Sequence, residues 1–190
     1  DPETVKRYLN TAQRDVKNLS ALIDDLFQMA QLDAGGFPLH RAEASLGDLI
    51  SDTLESFTEL AKQQEITLEG NVDSNVDPVM MDTQAIGRVL NNLIGNALRH
   101  TSNNGHVSVW VRRTVQGVEV TVSDTGAGIR SEDIAHIFER FYRGEKSRNR
   151  GTGGAGLGLA IARGIVQAHG GDIKVDSEIG KGTQFTFQIP

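Results

Sequence analysis

From Val5 the apolar residues of the opening stretch fall at Val5, Leu9, Ala12, Val16, Leu19, Ile23, Leu26 and Ala30, spaced by four and three in strict alternation. A seam of that kind belongs to a helix packed along another helix, because a 3.5-residue repeat keeps one stripe facing one partner. Asp1 can cap this helix, Pro2 suits its first position, and Glu3 meets the positive end of its dipole. The chain offers no second helix of comparable length, so a homodimer, or a companion helix outside this sequence, is expected. "DAGGFPL" ends the helix: Gly35 and Gly36 permit a left-handed exit, and Pro38 forbids continuation. Residues 34–45 are expected to be a linker.

Composition narrows the classes. The 190 residues carry a net charge of −6, which argues against a nucleic-acid surface, since phosphate contacts need clustered Lys and Arg. There is no cysteine, which excludes disulfides, thiolate metal sites and a Cys nucleophile and fits a cytoplasmic setting. No apolar run approaches the roughly 20 residues that span a bilayer. The chain does not begin with Met, and it reads as a piece of something longer.

Beyond the linker the pattern changes. "SLGDLISDTLESFTELAKQQ" opens with a Ser45-to-Asp48 cap and carries Leu46, Leu49, Ile50, Leu54, Phe57 and Leu60 on one face. "EITLEG" and "VMMD" read as short strands. "DTQAIGRVLNNLIGNALRH" returns to helical period, with Ile86, Val89, Leu90, Leu93, Ile94, Ala97 and Leu98 as its stripe and Arg88, Asn92, Asn96 and Arg99 opposite. "HVSVWVRR" and "VEVTVSD" alternate with period 2, a hairpin over 107–123. A helix over 157–169 precedes two closing strands, "DIKVDSE" and "GTQFTFQIP". The expected fold is α+β, a two-layer α/β sandwich: a mixed sheet of about five strands with three helices on one face, preceded by the long helix.

Four patches look functional, and each has an ordinary alternative. Asn92 and Asn96 share a helix face; they could simply be solvated, but a side-chain amide oxygen suits a hard cation such as Mg²⁺. "DTGAGI", Asp124 to Ile129, could be only a strand-ending turn, or a carboxylate fixed to accept from an exocyclic amine. "IFERFYRG" sets aromatics that can anchor a loop beside Arg140 and Arg143, either of which could reach a phosphate. "GTGGAGLGL" offers many backbone N–H groups at a helix start, an anion site. Its first six residues match G-x-G-x-x-G, but the polar "RFYRGEKSRNR" before them is no strand, so a dinucleotide-binding turn is not expected.

In this order and at these separations, the patches resemble the catalytic and ATP-binding domain of sensor histidine kinases, within the superfamily that includes DNA gyrase and the mismatch-repair ATPases. "NNLIGNALRHT" resembles the N box, "SDTGAGI" the G1 box, "IFERFYRG" the F box, "GGAGLGLAIARGIVQAHGG" the G2 box and "GKGTQFTF" the last G box. The resemblance spans residues 46–190. Helix 1–33, with "NLSALIDDLFQMAQLDAGG", resembles the second helix of the dimerisation and phosphotransfer hairpin.

The resemblance implies ATP and Mg²⁺ as ligands. It makes Asn96 the Mg²⁺ ligand, with Asn92 one turn earlier supporting metal and phosphates. It makes Asp124 the acceptor from adenine N6, with Gly126, Gly128 and Ile129 shaping the pocket and Thr183 reaching adenine. Arg99 and Arg143 would contact phosphates, Arg143 at the γ-phosphate with a catalytic role. Gly154, Gly156, Leu157, Gly158 and Leu159 would form the lid hinge and the turn over the phosphates. A response regulator is the implied partner, and any membrane attachment would lie upstream.

ATP-hydrolysing members place Glu where this chain has Asn92, which cannot accept a proton; transfer to a protein nucleophile is therefore expected over hydrolysis. That nucleophile is a histidine with an acidic neighbour and a nearby proline. His40, His100, His106, His136 and His169 lack those neighbours and read as surface, turn or pocket residues, so the acceptor is expected outside the chain. Two alternatives stay open: a nucleotide-responsive docking module that transfers nothing, and a serine kinase of the anti-sigma type.

Overall fold

The computed structural model describes residues 1–34, 37–144 and 155–190. The expected exits at Gly35 and Gly36, and Gly154 of the lid, lie outside the described residues. The chain divides into two compact units, Asp1–Phe37 and Pro38–Pro190.

The first unit is helix α1, Pro2–Asp33. Asp1 caps it, accepting from the Glu3 N–H at 3.2 Å and from the Thr4 hydroxyl at 3.1 Å. Along the heptad seam Val5, Leu9, Val16, Leu19, Ile23 and Leu26 are all exposed.

The second unit runs β1 (Ala42–Ala44), α2 (Leu46–Gln63), β2 (Thr67–Val72), β3 (Val79–Met81), α3 (Thr83–His100), β4 (His106–Thr114) and β5 (Gly117–Asp124). It continues with the single turn α4 (Ser131–Ile134), then α5 (Gly158–Ala168), β6 (Ile173–Glu178) and β7 (Gly182–Ile189). The main sheet has five strands in the order β2-β4-β5-β7-β6; β2 is parallel to β4 and every other pair is antiparallel. The "VMM" strand is not part of it: β3 pairs instead with β1, which forms within the stretch expected to be linker.

Period-2 alternation places successive rows of side chains on the helix-facing side of the sheet. Val111, Val120, Phe187 and Ile173 make one row across β4, β5, β7 and β6; Val109, Val122, Phe185 and Val175 make the next. Against these rows α3 buries the whole stripe read from its sequence, Ile86 through Leu98. Each such side chain contributes about 1.5–3 kcal/mol by leaving water. Helix α5 adds Ile161, Ala162, Ile165 and Val166, and α2 adds Leu46 and Ile50. The α2 stripe stops short of Leu60, which is 41% exposed; Ala61 takes the inward position, and its carbonyl accepts from the Ile66 N–H as the chain turns into β2.

Two helix starts are tied down from elsewhere in the chain. Ser45 Oγ accepts from the Asp48 N–H at 3.0 Å and donates to Asp77, whose carboxylate also accepts from the Leu46 N–H at 2.7 Å. At α3, Asp82 Oδ1 accepts from the Ala85 N–H at 3.0 Å and Oδ2 from the His40 N–H at 2.8 Å. The Asp82 N–H donates in turn to His169 Nε2 at 3.1 Å. Nε2 is thereby an acceptor, so the ring proton sits on Nδ1 and is donated to the Ile165 carbonyl at 2.8 Å. His169 is thus a buried latch between α3 and α5, only 3% exposed.

Burial first, then the Arg41 charge, holds the His169 pKa below its ordinary value, against the pull of the Ile165 carbonyl and Asp82. A base depressed in the folded state takes up its proton more readily when unfolded, so its contribution is complete above about pH 6.5 and declines as pH falls. Urea unfolding should therefore show stability falling by up to about 1 kcal/mol from pH 7 to 5.5 through this group. His169→Gln should flatten that slope relative to the unmodified chain; an unchanged slope would contradict the latch.

Candidate functional site

The two apolar rows end in a polar one. Val107, Asp124, Thr183 and Ser177 stand in register across β4, β5, β7 and β6, on the same helix-facing side. Asp124 is half-buried, and its Oδ1 accepts from the Gly126 N–H at 2.8 Å and the Thr183 N–H at 3.3 Å. Oδ2 has no partner among the described residues. Burial raises the Asp124 pKa, and the Gly126 and Thr183 N–H groups only partly oppose it. A half-desolvated carboxylate with one open oxygen is an acceptor suited to an amine.

The loop after Asp124 folds against the end of α3, where the Ala127 N–H donates to the His100 carbonyl at 3.2 Å. It closes on the β6–β7 turn through the Gly180 N–H to the Ala127 carbonyl, 2.9 Å, and through the Ile129 N–H to Ser177 Oγ, 2.9 Å. Gly128 has φ +70° and a Cβ there would lie 2.1 Å from the Glu178 carbonyl oxygen, so only glycine lets the two loops meet. Asp124, Gly126, Gly128, Ile129 and Thr183 are therefore brought together at one end of the sheet.

The second cluster lies on α3. Asn92, Asn96 and Arg99, spaced four and three, share the face opposite the buried stripe. Asn96 Oδ1 accepts from Arg99 Nη1 at 2.8 Å. Asn92 Nδ2 is buried without a hydrogen-bond partner among the described residues, and its Oδ1 lies 2.7 Å from where a Cβ on Gly158 would stand, at the first residue of α5. An unpaired buried amide costs about 1–3 kcal/mol, so Asn92 carries unused hydrogen-bonding capacity at this position. Arg99 is exposed by area, yet desolvation of its guanidinium, followed by the like charge of Arg143, lowers its proton affinity. It remains cationic, so the guanidinium that bonds Asn96 also feels the charge of Arg143.

Arg143 is delivered by an anchored segment. Phe138 packs edge-on against Phe185, with the Arg163 guanidinium 5.5 Å from its ring centre. The Tyr142 hydroxyl donates to Asp133 Oδ1 at 2.5 Å, and Arg130 Nε to Asp133 Oδ2 at 3.0 Å. The Tyr142 hydrogen bond, helped by Arg130, holds the Asp133 carboxyl below the usual carboxylate range. Gly156, at φ +77°, gives its carbonyl to the Phe141 N–H at 3.0 Å. Leu157 is 1% exposed and caps α5, whereas Leu159 is half-buried. Leu157 is thus a buried anchor at the end of the described loop.

Tyr142 anchors its loop as the aromatics of "IFERFYRG" are expected to, whereas Ser177 and Asp133 belong to none of the four patches. A signal for Ser177 did exist: on β6 the inward positions run Ile173, Val175, Ser177, so the third breaks an apolar alternation beside Thr183. For Asp133 the Arg130 contact is a local i,i+3 pair, but the Tyr142 contact nine residues on has no periodic signal.

The Gly128 contact can be tested by thermal unfolding. Gly128→Ala should cost about 2–3 kcal/mol, the left-handed strain plus displacement of the Glu178 carbonyl. Gly180→Ala should cost only about 1 kcal/mol, because Gly180 has φ +79° with nothing within 4 Å. Equal losses would contradict the close approach.

Residues 81–190 match the family model described as "Histidine kinase-, DNA gyrase B-, and HSP90-like ATPase". Sensor histidine kinase WalK of Bacillus subtilis (strain 168) is 38% identical over 186 residues, 97% of this chain and 30% of that protein. Among solved structures, full-length ShkA in complex with AMPPNP superposes with a TM-score of 0.85 at 30% identity, over 97% of this chain and 38% of that one. Histidine kinase ThkA in complex with response regulator protein TrrA does so at 0.78 and 28% identity, over 100% of this chain and 52% of that one. This chain thus spans less than a third of the curated relative's length. The shared five-stranded sheet with helices on one side, and the family match from β3 to the last strand, carry one conclusion: the chain belongs to the histidine kinase-, DNA gyrase B- and HSP90-like ATPases.

Proposed function

We propose that this chain is the ATP-binding catalytic part of a sensor histidine kinase, transferring the γ-phosphoryl group of ATP to a histidine outside the chain for relay to a response-regulator aspartate. The observation that carries this is the α3 face. It offers the amide oxygens of Asn92 and Asn96 and the Arg99 guanidinium, faced by Arg143 and the start of α5, with no carboxylate at position 92 to activate water. Positioning and charge neutralisation are the main needs of phosphoryl transfer, and these are the groups that supply them.

The donor set fits Mg²⁺. The ion prefers oxygen, keeps several waters and phosphates, and needs few protein ligands. Asn96 Oδ1, which accepts from Arg99, would hold the ion, and Asn92, whose Nδ2 has no partner among the described residues, would support the phosphates. Bound there, the ion would neutralise phosphate charge. Asp124 accepts from the adenine amine in a pocket shaped by Gly126, Gly128, Ile129 and Thr183. Arg143 stabilises the transferring group, and Gly156, Leu157, Gly158 and Leu159, with Gly154, form the hinge and turn over the phosphates.

Residues 1–33 are the second helix of a dimerisation and phosphotransfer hairpin, 34–45 the linker and 46–190 the catalytic domain. The exposed heptad seam of α1 supports a homodimer built through that hairpin. The ThkA–TrrA complex supports a response regulator as partner. A cytoplasmic site of action completes the reading, with membrane attachment only through upstream segments; no described helix is long and apolar enough to cross a membrane.

Supplied with Mg²⁺ and γ-labelled ATP, the chain alone should acquire no acid-labile label, whereas a separate fragment carrying the missing helix and its histidine should become labelled. Silence of that fragment despite measured ATP binding would favour a docking module. Asn96→Ala should weaken ATP binding at least tenfold in Mg²⁺ and little in EDTA, by calorimetry. Equal losses in both would remove Asn96 as the metal ligand.

A further inference from the structure

Ser177 has no place in the proposed roles above, yet it makes three hydrogen bonds at the mouth of the pocket. Its Oγ donates to the Gly182 carbonyl at 2.8 Å, accepts from the Ile129 N–H at 2.9 Å, and lies 3.0 Å from Thr183 Oγ1. A serine hydroxyl has one proton and two lone pairs. With the proton spent on Gly182, the contact with Thr183 must be one in which Thr183 donates and Ser177 accepts. Ser177 is then saturated, and the Thr183 proton is directed away from Asp124.

The consequence reaches the base-binding edge. The Thr183 hydroxyl, on a residue 8% exposed, is left with only lone pairs to offer, opposite Asp124 in register, whose Oδ1 accepts from the Thr183 N–H. Two acceptors in register on β5 and β7 suit an exocyclic amine and an ordered water, and disfavour a carbonyl in that place. The same serine fixes the Ile129 backbone, and with it the end of the loop that Gly128 brings against Glu178.

We infer that Ser177 is a positioning residue for base selection: it sets the polarity of the Thr183 hydroxyl and the place of the Ile129 loop, and so favours adenine over guanine without touching the base. The inference rests on the ATP site proposed above.

Its test compares Ser177→Ala and Ser177→Thr with the unmodified chain, measuring affinity for Mg-ATP, Mg-GTP and inorganic triphosphate, with thermal midpoints alongside. Ser177→Ala should weaken ATP about tenfold, leave GTP and triphosphate within twofold, and so reduce the ATP-over-GTP preference. Ser177→Thr, which keeps the hydroxyl, should restore ATP to within about twofold. Unchanged ATP affinity in Ser177→Ala, or equal losses for ATP, GTP and triphosphate, would overturn the inference, the second outcome revealing a merely structural role. No ATP binding by the folded, unmodified chain would overturn the underlying site as well, and is distinguished by the unmodified chain's own titration.

Discussion

The register of β5 on β7 is the constraint on which the rest depends. It sets Asp124 opposite Thr183, Val122 opposite Phe185 and Val120 opposite Phe187. A slip of one residue would turn Asp124 to the open face and expose the valines that α3 covers. The apolar rows therefore lock the polar row in place: the burial that stabilises the sandwich also fixes the carboxylate. Among the described residues Asp124 has backbone donors on one oxygen and none on the other, and burial raises its pKa despite them.

Helix α3 performs the matching task at the other end of the site. Its buried stripe fixes its roll, and the residues opposite, Asn92, Asn96 and Arg99, are displayed as a consequence. Its start is held by Asp82 and His169, and its end accepts from the Asp124 loop through the His100 carbonyl. One helix thus joins the Asp124 end of the sheet to the Asn92–Asn96 face, and α5 is drawn to it where Gly158 lets the backbone approach Asn92.

Much of this was legible in the sequence because it rests on periodicity. The α3 stripe, the β4–β5 hairpin and the α5 helix repeat at 3.6 or 2.0 residues, and burial enforces those periods. Leu60 was misjudged because a helical stripe says nothing of where the covering layer stops. The destination of "VMM" was hidden for a similar reason: three residues declare a strand but not its partner, and β1 lay in a segment whose only signals were those of a linker. His169, read with the other histidines as a surface, turn or pocket residue, gives no sign of its latch role because its partner Asp82 lies far away in sequence. At the site, residues in glycine-rich boxes announced themselves, whereas Ser177 showed only as a break in the β6 alternation, and the Tyr142 bond to Asp133 joins residues nine apart that no period links.

The account stands on a base-reading carboxylate, and the most direct measurement isolates the group it reads. Inosine triphosphate differs from ATP in carrying a carbonyl in place of the exocyclic amine, with the phosphates unchanged. Titrated calorimetrically against the unmodified chain in Mg²⁺, ATP should bind at least ten times more tightly than inosine triphosphate, because an acceptor facing a carbonyl loses its hydrogen bond and remains desolvated. Equal affinities would contradict Asp124 as the reader of the base.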